Sequence, residues 1–191
     1  MYALRSARLI GCLWFGLMAV SGVALASAPS SEPNQAPYVA EASNVSPGHE
    51  FEFLYGQWKV RNRLLKKRLA NSQDWVDFDA VDAFRVLPGN LGSEESYHTE
   101  HWPAYFAIGL HLYDPVNKRW TLYWADNRNA PGTMQTLASG PFEGHTGTFY
   151  APDQFNGKPI TVRIIWKNID QNHAHWEQAF SSDRGAGPCR G

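Results

Sequence analysis

The sequence predicts an all-β protein, an antiparallel up-and-down β-barrel of about nine to ten strands. Over residues 49–182, short runs rich in β-branched and aromatic residues recur at roughly ten-residue spacing. Clusters of Pro, Gly, Asn and Asp separate these runs, and no long helical period is present. Because about nine consecutive antiparallel strands do not stay flat with both edges open, we expect the sheet to close on itself.

Nine runs are predicted to be strands, and a short helical turn is predicted before the first of them. The strands are Trp58–Leu65, Trp75–Val86, Glu95–Trp102, Tyr105–Tyr113, Trp120–Trp124, Met134–Ser139, Gly147–Tyr150, Ile160–Lys167 and Ala174–Ser181. In the helical turn, Phe51, Leu54 and Tyr55 are expected to close one end of the barrel, and Gly56 permits a tight entry into the first strand.

Alternation along the strands predicts which side chains share a face. In the second run one face carries Val76, Phe78, Ala80, Phe84 and Val86, and the other carries Asp77, Asp79 and Arg85. If the last hairpin has a symmetric loop centred on Asp170, Arg163 lies opposite Glu177 and Ile164 lies opposite Trp176. One face then gains an ion pair and the other a core contact.

Composition and charge exclude several classes of protein. The chain has 191 residues with 17 Lys and Arg against 18 Asp and Glu, a net charge of −1, so a dedicated nucleic-acid binder is not expected. With 43% hydrophobic residues the chain is not expected to be disordered. Lys59, Arg61 and Arg63 alternate along the first strand and are expected to match Asp77 and Asp79 across it. A patch for polyanions or anionic lipids is the alternative.

The amino terminus has the pattern of a secretory signal peptide over residues 1–26. Arg5 and Arg8 precede an apolar run that ends in Ala24-Leu25-Ala26, which signal peptidase accepts. An uncleaved membrane anchor is the alternative. Residues 27–48, rich in Ser, Pro and Ala, are predicted to be a flexible leader. We therefore expect export to the periplasm or the exterior, with membrane contact only through the signal segment before cleavage. Cleavage also leaves Cys189 without an intramolecular partner for a disulfide.

Four phrases resemble a known family. Gly56-Gln57-Trp58 matches the Gly-x-Trp opening of the lipocalin-like, or calycin, barrels. In order, FEFLYGQWKV, RWTLYW, GTFYAPDQFNGKPITVRIIW and WEQAFSSD resemble a secreted bacterial domain family of unknown function with such a barrel. The resemblance covers residues 49–182 and implies a lipocalin-like fold. In relatives one more Trp-rich strand follows, whereas residues 183–191 are Gly-rich and irregular, so we expect the final strand to be missing or frameshifted.

No catalytic, nucleotide-binding or metal-binding motif is present, so no cofactor, metal ligand or catalytic residue is predicted, and an enzyme is disfavoured. His173 and His175 share a face with Glu177, but we expect that face to be outside. His98 and Glu100 also share a face, while His101 points away, so these three do not converge.

His111 has two interpretations. The favoured one places it outward, because Phe106, Ile108, Leu110 and Leu112 form the more apolar face of its strand. The alternative makes Tyr105, Ala107, Gly109, His111 and Tyr113 the inward set, with the histidine as a pocket group or even a haem ligand.

The aromatic interior is the remaining candidate site. The residues predicted to bind a ligand are Trp58, Phe106, Trp120, Trp124, Trp166 and Trp176. A barrel of this size can enclose one small molecule, so an exported binder of a small hydrophobic or amphipathic ligand is the leading hypothesis. Two alternatives stay open. One is an enzyme that uses His111, or His98 with Glu100, and the other is a packed barrel that serves as a structural or interaction module.

Overall fold

A computed structural model describes residues 5–9, 11–13, 18–20 and 46–182. The fold is 65% strand and 4% helix, which confirms the all-β prediction. The two helical elements are short 3-10 turns, Glu52–Leu54 and Pro88–Asn90. The strands are β1 Arg5–Leu9, β2 Gly11–Leu13, β3 Met18–Val20, β4 Gly56–Leu65, β5 Trp75–Val86, β6 Gly92–Thr99, β7 Tyr105–Asp114, β8 Arg119–Asp126, β9 Gln135–Gly140, β10 Phe142–Glu143, β11 Thr146–Phe155, β12 Lys158–Asp170 and β13 His173–Ser181.

Nine long strands, β4–β9 and β11–β13, form one antiparallel sheet in which each strand pairs with its neighbour along the chain. This sheet curls through 281°, most of the way around a barrel, as the sequence predicts. The short strand β10 pairs only with β11. The backbone of β1 lies between the two ends of the curled sheet and runs parallel to both β13 and β4.

Most strands extend past their predicted bounds because the turns between them are tighter than expected. Strand β11 continues to Phe155, where the sequence indicated an end at Tyr150. Phe155 pairs with Lys158, which leaves only Asn156 and Gly157 in the turn. Both turn residues have positive φ, 51° and 73°, and Asn-Gly adopts this conformation at little cost.

The helical turn at the start of the domain closes one end of the barrel, here called the lower end, as predicted. Phe51 and Leu54 are fully buried, and the Trp58 indole donates a hydrogen bond of 2.5 Å to the Leu54 carbonyl. The Phe51 ring contacts aromatic rings from several strands, with centroid distances of 4.4 Å to His111, 4.9 Å to Trp120, 4.9 Å to Phe142, 6.0 Å to Phe149 and 6.1 Å to Trp166. The lower end is therefore a packed aromatic core.

The register of the last hairpin differs by two residues from the predicted one. Arg163 pairs with Ala179, and Trp166 pairs with Trp176. A bulge between Asn168 and Asp170, which a symmetric loop does not allow for, shifts the register. The ion pair still forms along the diagonal, because Arg163 Nη2 lies 2.6 Å from Glu177 Oε1. The predicted ion pair is confirmed and the predicted register is wrong.

The charges of the first two barrel strands match across the sheet, as predicted. Arg61 lies opposite Asp79, and Arg63 lies opposite Asp77 with 4.0 Å between the charged atoms. These side chains are exposed, so each pair contributes little stability. Arg68 is different, since it is buried, with its guanidinium 4.7 Å from the centroid of the Phe155 ring. Arg68 is therefore not part of the exposed basic surface that begins on β4.

Several predictions concern parts of the chain that lie outside the described residues. These are the cleavage site at Ala26, the leader up to residue 45, and the tail 183–191 with the final strand expected there. In the described ranges, the structure contains no helix with the length and hydrophobicity needed to span a membrane.

The aromatic packing at the lower end generates a stability prediction. Phe51→Ala removes a fully buried ring and is expected to lower the free energy of unfolding by about 3–5 kcal/mol, measured by urea denaturation. The matched control is Phe106→Ala, because Phe106 is 54% exposed and its loss is expected to cost less than about 1 kcal/mol. Equal losses from the two variants would contradict the arrangement described.

Candidate functional site in the barrel interior

Alternation along the strands places three ionisable side chains inside the barrel. On β5, Asp82 shares the buried face of Ala80 and Phe84. Glu95 lies on the buried face of β6, and His111 lies on that of β7. The three side chains are 3%, 5% and 3% exposed, so they form a polar cluster surrounded by apolar packing.

His111 points into the barrel, so the favoured outward interpretation is wrong and the inward orientation of the alternative is the one observed. Its Nδ1 lies 3.1 Å from Ser93 Oγ, and its Nε2 lies 3.3 Å from Glu95 Oε2. The Phe51 ring stacks on the imidazole. Both ring nitrogens thus have partners, so the imidazole can be buried. It lies on the face of β7 that contains fewer apolar residues in the sequence.

A glycine opposite Glu95 makes room for its side chain. Glu95 pairs with Gly109 on the neighbouring strand. A Cβ atom at position 109 would lie 2.6 Å from Glu95 Oε2, closer than two such atoms approach. Because Gly109 has no side chain, the glutamate crosses over β7 and reaches His111.

Asp82 and Glu95 form a carboxyl pair. Asp82 Oδ1 accepts a hydrogen bond of 2.9 Å from the Ala83 backbone N–H, and the Asp82 side chain also hydrogen-bonds that of Glu95. Two carboxyl groups can share a hydrogen bond only when one of them carries a proton. In this pair, burial favours the protonated form of Asp82.

Burial, and next the charge of Glu95, raise the pKa of Asp82 well above its usual range. Burial and the charge of Asp82 likewise raise the pKa of the neighbouring Tyr97 hydroxyl. Asn62 is 3% exposed, and its side chain hydrogen-bonds the Tyr97 hydroxyl, which opposes part of this rise in pKa. We call Asn62, Asp82, Glu95, Tyr97 and His111 the interior polar cluster.

The predicted ligand-binding aromatics divide into three groups. Trp58, Trp120 and Trp166 belong to the fully buried core. Trp124 and Trp176 pack against that core and stay half-buried, with the Trp124 ring 5.9 Å from the Tyr97 ring. Phe106, expected inside, lies on the outer face.

The correction at Phe106 follows from the same alternation that turns His111 inward, since the two positions have opposite parity on β7. On the outer face, the Phe106 ring stacks on His98 at 4.4 Å, and this contact covers part of its apolar surface.

The sequence analysis did not single out Asp82, Glu95 or Asn62. The signal was present, because Asp82 has the same parity as Ala80 and Phe84, which were assigned to one face. Asp82 was grouped with the surface acids Asp77 and Asp79 because of its charge, although its position in the strand places it on the other face. No pattern in the sequence indicates that Asp82 and Glu95 meet across two strands.

The other histidine clusters lie elsewhere. His98 forms an ion pair of 2.9 Å with Glu100 beside an outer groove of 580 Å³. His101 instead stacks on the Phe78 ring at 4.2 Å, so the three residues do not converge, as predicted. Within residues 46–182, no group of three potential ligands is arranged to hold a metal ion.

On the last strand, each histidine has a carboxylate of its own. His173 bonds Asp170, whereas His175 lies 3.6 Å from Glu177, which Arg163 also contacts. A hydrogen bond from His175, together with the Arg163 charge, lowers the pKa of Glu177. The group forms a chain of ion pairs across the outer face.

Comparisons with known proteins identify no relative of this chain, since no protein-family model matches it and no curated protein does. The interpretation of the interior therefore depends on its own geometry and chemistry.

The buried pair generates a prediction about pH. Because the pKa of Asp82 is raised in the folded state, the folded protein binds more protons than the unfolded chain at pH values between the ordinary and the raised pKa. Stability from this group is therefore lost as the pH rises through that interval. Asp82→Asn removes the titration. Between about pH 4 and about pH 8, the free energy of unfolding of the variant minus that of wild type is expected to increase by about 1 kcal/mol or more. Urea denaturation of both proteins at both pH values measures this change.

The matched control is Asp79→Asn on the exposed face of the same strand. This change is expected to leave stability within about 0.5 kcal/mol at both pH values, as surface substitutions do. An Asp82→Asn effect that is the same at both ends of the pH range would contradict the raised pKa of Asp82.

Proposed function

We propose that this chain is an exported β-barrel protein that binds a small apolar or amphipathic molecule in its interior. The observation that carries the proposal is the interior polar cluster, which begins where His111 stacks on Phe51 and extends beside half-buried aromatic side chains. A few convergent polar groups within an aromatic wall are typical of small-molecule sites.

Small side chains beside the polar cluster support a chamber at this level. Ala80 precedes Asp82 on the inward face, and Ala107 pairs with Tyr97. Ala151 pairs with the buried Val162 and so faces inward, yet it is only half-buried. Inward alanines that keep some exposure are expected where side chains do not fill the barrel.

Polar atoms that lack partners support the same interpretation. Among the described residues, Arg68 Nε and Nη1 are buried without a hydrogen-bond acceptor. A buried donor that lacks an acceptor costs about 1–3 kcal/mol. Such groups are explained when water or a polar ligand pairs with them.

Export is proposed from the amino-terminal pattern. The positive region, the apolar run and the small residues before Ser27 support a signal peptide, and the resemblance to a secreted family agrees with it. Membrane contact is proposed only through this segment before cleavage.

A second candidate function is acid–base catalysis in the same chamber. The observation that favours it is the buried pair of carboxyl groups, Asp82 and Glu95, with His111 Nε2 3.3 Å from Glu95 Oε2, since carboxyl and imidazole groups serve as general acids and bases. In that case the bound molecule would be a substrate. The binding experiment applies to both functions.

Binding in the chamber is tested with N-phenyl-1-naphthylamine, a neutral apolar dye whose fluorescence rises when it leaves water. Wild-type protein is expected to bind it with one site per chain. Ala107→Phe fills the chamber and is expected to weaken binding at least about tenfold, or about 1.4 kcal/mol.

The matched control is Ala125→Phe, because Ala125 pairs with the exposed Ile108 and faces outward. It is expected to leave the affinity unchanged within about twofold. Failure of wild-type protein to bind the dye, together with the absence of any retained small molecule in native mass spectrometry, would contradict the proposed function.

A further inference from the structure

We propose that the end of the barrel opposite the packed lower end, here called the upper end, binds a small organic carboxylate with an apolar body, and that Arg68 binds the carboxylate group. This inference rests on the proposed function and names the class of ligand. It specifies the sign of the ligand's charge and the residue that recognises it.

Arg68 lies in the loop that joins β4 to β5 at the upper end. Its guanidinium lies 4.7 Å from the centroid of the Phe155 ring and 4.6 Å from that of the Phe180 ring. Phe180 is buried and pairs with Val162, which in turn pairs with Ala151. The guanidinium therefore contacts the same row of inward side chains to which Ala151, the half-buried alanine of the proposed chamber, belongs.

The donors of the Arg68 guanidinium are the observation that points to a ligand. The side chain is 7% exposed, and among the described residues no acceptor binds its Nε and Nη1 atoms. The faces of phenyl rings attract a guanidinium, but they contain no oxygen or nitrogen atom that accepts its N–H groups. A buried charge in this state is costly unless an anion pairs with it.

The acids nearest to Arg68 along the chain and across the upper end have other partners. Asp74, in the same loop, forms an ion pair of 3.1 Å with Lys66. Asp153 lies on the inward side of β11 and accepts a hydrogen bond from the Gln154 backbone N–H. Within residues 46–182, no carboxylate forms an ion pair with Arg68, so its charge is not balanced by a direct contact there.

The buried acids lie on other strands of the barrel. Asp82, Glu95 and Asp126 are on β5, β6 and β8, whereas the rings beside Arg68 are on β11 and β13. Asp126 accepts a hydrogen bond from the Asn129 backbone N–H, and the side chains of Asp82 and Glu95 bond to each other. Among the described residues, Arg68 is the one lysine or arginine that is buried.

A carboxylate fits Arg68 better than other anions do. It has one negative charge, which balances the single charge of the guanidinium, and its planar pair of oxygens matches the guanidinium donors. A phosphate monoester carries about two negative charges near neutral pH, so it would add an unbalanced charge to an interior that already contains acids. The apolar body of the carboxylate would lie in the chamber beside Ala151.

The test compares three probes with the same apolar chain, n-octanoate, n-octanol and n-octylamine, near neutral pH. Each is titrated against wild-type protein that carries bound N-phenyl-1-naphthylamine, and direct calorimetry repeats each titration. Octanoate is expected to bind at least about tenfold more tightly than octanol, with octylamine weakest. Acetate, which lacks the apolar chain, is expected to bind at least about tenfold more weakly than octanoate.

The outcomes separate the two proposals. If the dye binds but octanol or octylamine binds as tightly as octanoate, the inference is overturned and the proposed function stands. Acetate that binds as tightly as octanoate would overturn the apolar body of the ligand. If neither the dye nor any probe binds, the proposed function itself is contradicted.

A variant then assigns the preference to Arg68. Arg68→Met removes the charge and keeps a long side chain against the two phenyl rings. It is expected to weaken octanoate binding at least about tenfold and to leave octanol binding unchanged within about twofold. The matched control is Lys67→Met, which removes the same charge from the exposed neighbouring residue and is expected to leave the preference for octanoate unchanged. An equal loss in the control would assign the preference to surface charge and overturn the inference.

Urea denaturation separates ligand binding from a structural role of Arg68. Without added ligand, the urea midpoint of Arg68→Met is expected to equal or exceed that of wild type, because the substitution removes a buried charge that lacks a partner. Saturating octanoate is expected to raise the midpoint of wild type and not that of the variant. A lower midpoint for the variant without ligand would show that a carboxylate of the chain already pairs with Arg68, and would overturn the inference.

Discussion

Phe51 contacts rings from both halves of the sheet, and the order of the lower end depends on this side chain. Its ring lies 4.4 Å from His111 on β7 and 4.9 Å from Phe142, near the start of β11. Because it packs on His111, it helps to orient the imidazole toward Glu95, and Glu95 in turn contacts Asp82. The aromatic plug and the polar interior are therefore parts of one arrangement.

The polar cluster is costly in a structure whose other interior contacts are mainly apolar. Two carboxyl groups without a buried lysine or arginine beside them destabilise the folded state at pH values at which both would be charged. The raised pKa of Asp82, which favours its neutral form, and the contact of Glu95 with His111 reduce this cost. Groups with such perturbed ionisation occur most often where a protein binds or reacts with something. This is the physical link from the fold to the proposed chamber.

Much of the fold could be predicted from residue spacing, whereas the site could not. On β5 apolar and charged residues alternate up to Ala80, so its bounds were predicted, and its faces were predicted except at Asp82. On β7 both faces carry apolar residues. Burial there is decided by contacts with β6, because Gly109 makes room for Glu95 and Glu95 pairs with His111.

The same limit explains the other errors. The bulge near Asn168 shifts the last hairpin by two residues without changing the pattern that was used to align it. Asp82 had the right parity for the interior, but its charge placed it among the surface acids. Contacts between side chains distant in sequence decided each case.

The central claim is that Asp82 stays protonated beside Glu95 inside the barrel, and carbon-13 NMR of the labelled side-chain carboxyl groups tests it most directly. The account predicts that the Asp82 carboxyl keeps the chemical shift of a protonated acid well above the pH at which exposed aspartates ionise. Ionisation of Asp82 near the ordinary value for aspartate, about 4, would contradict it.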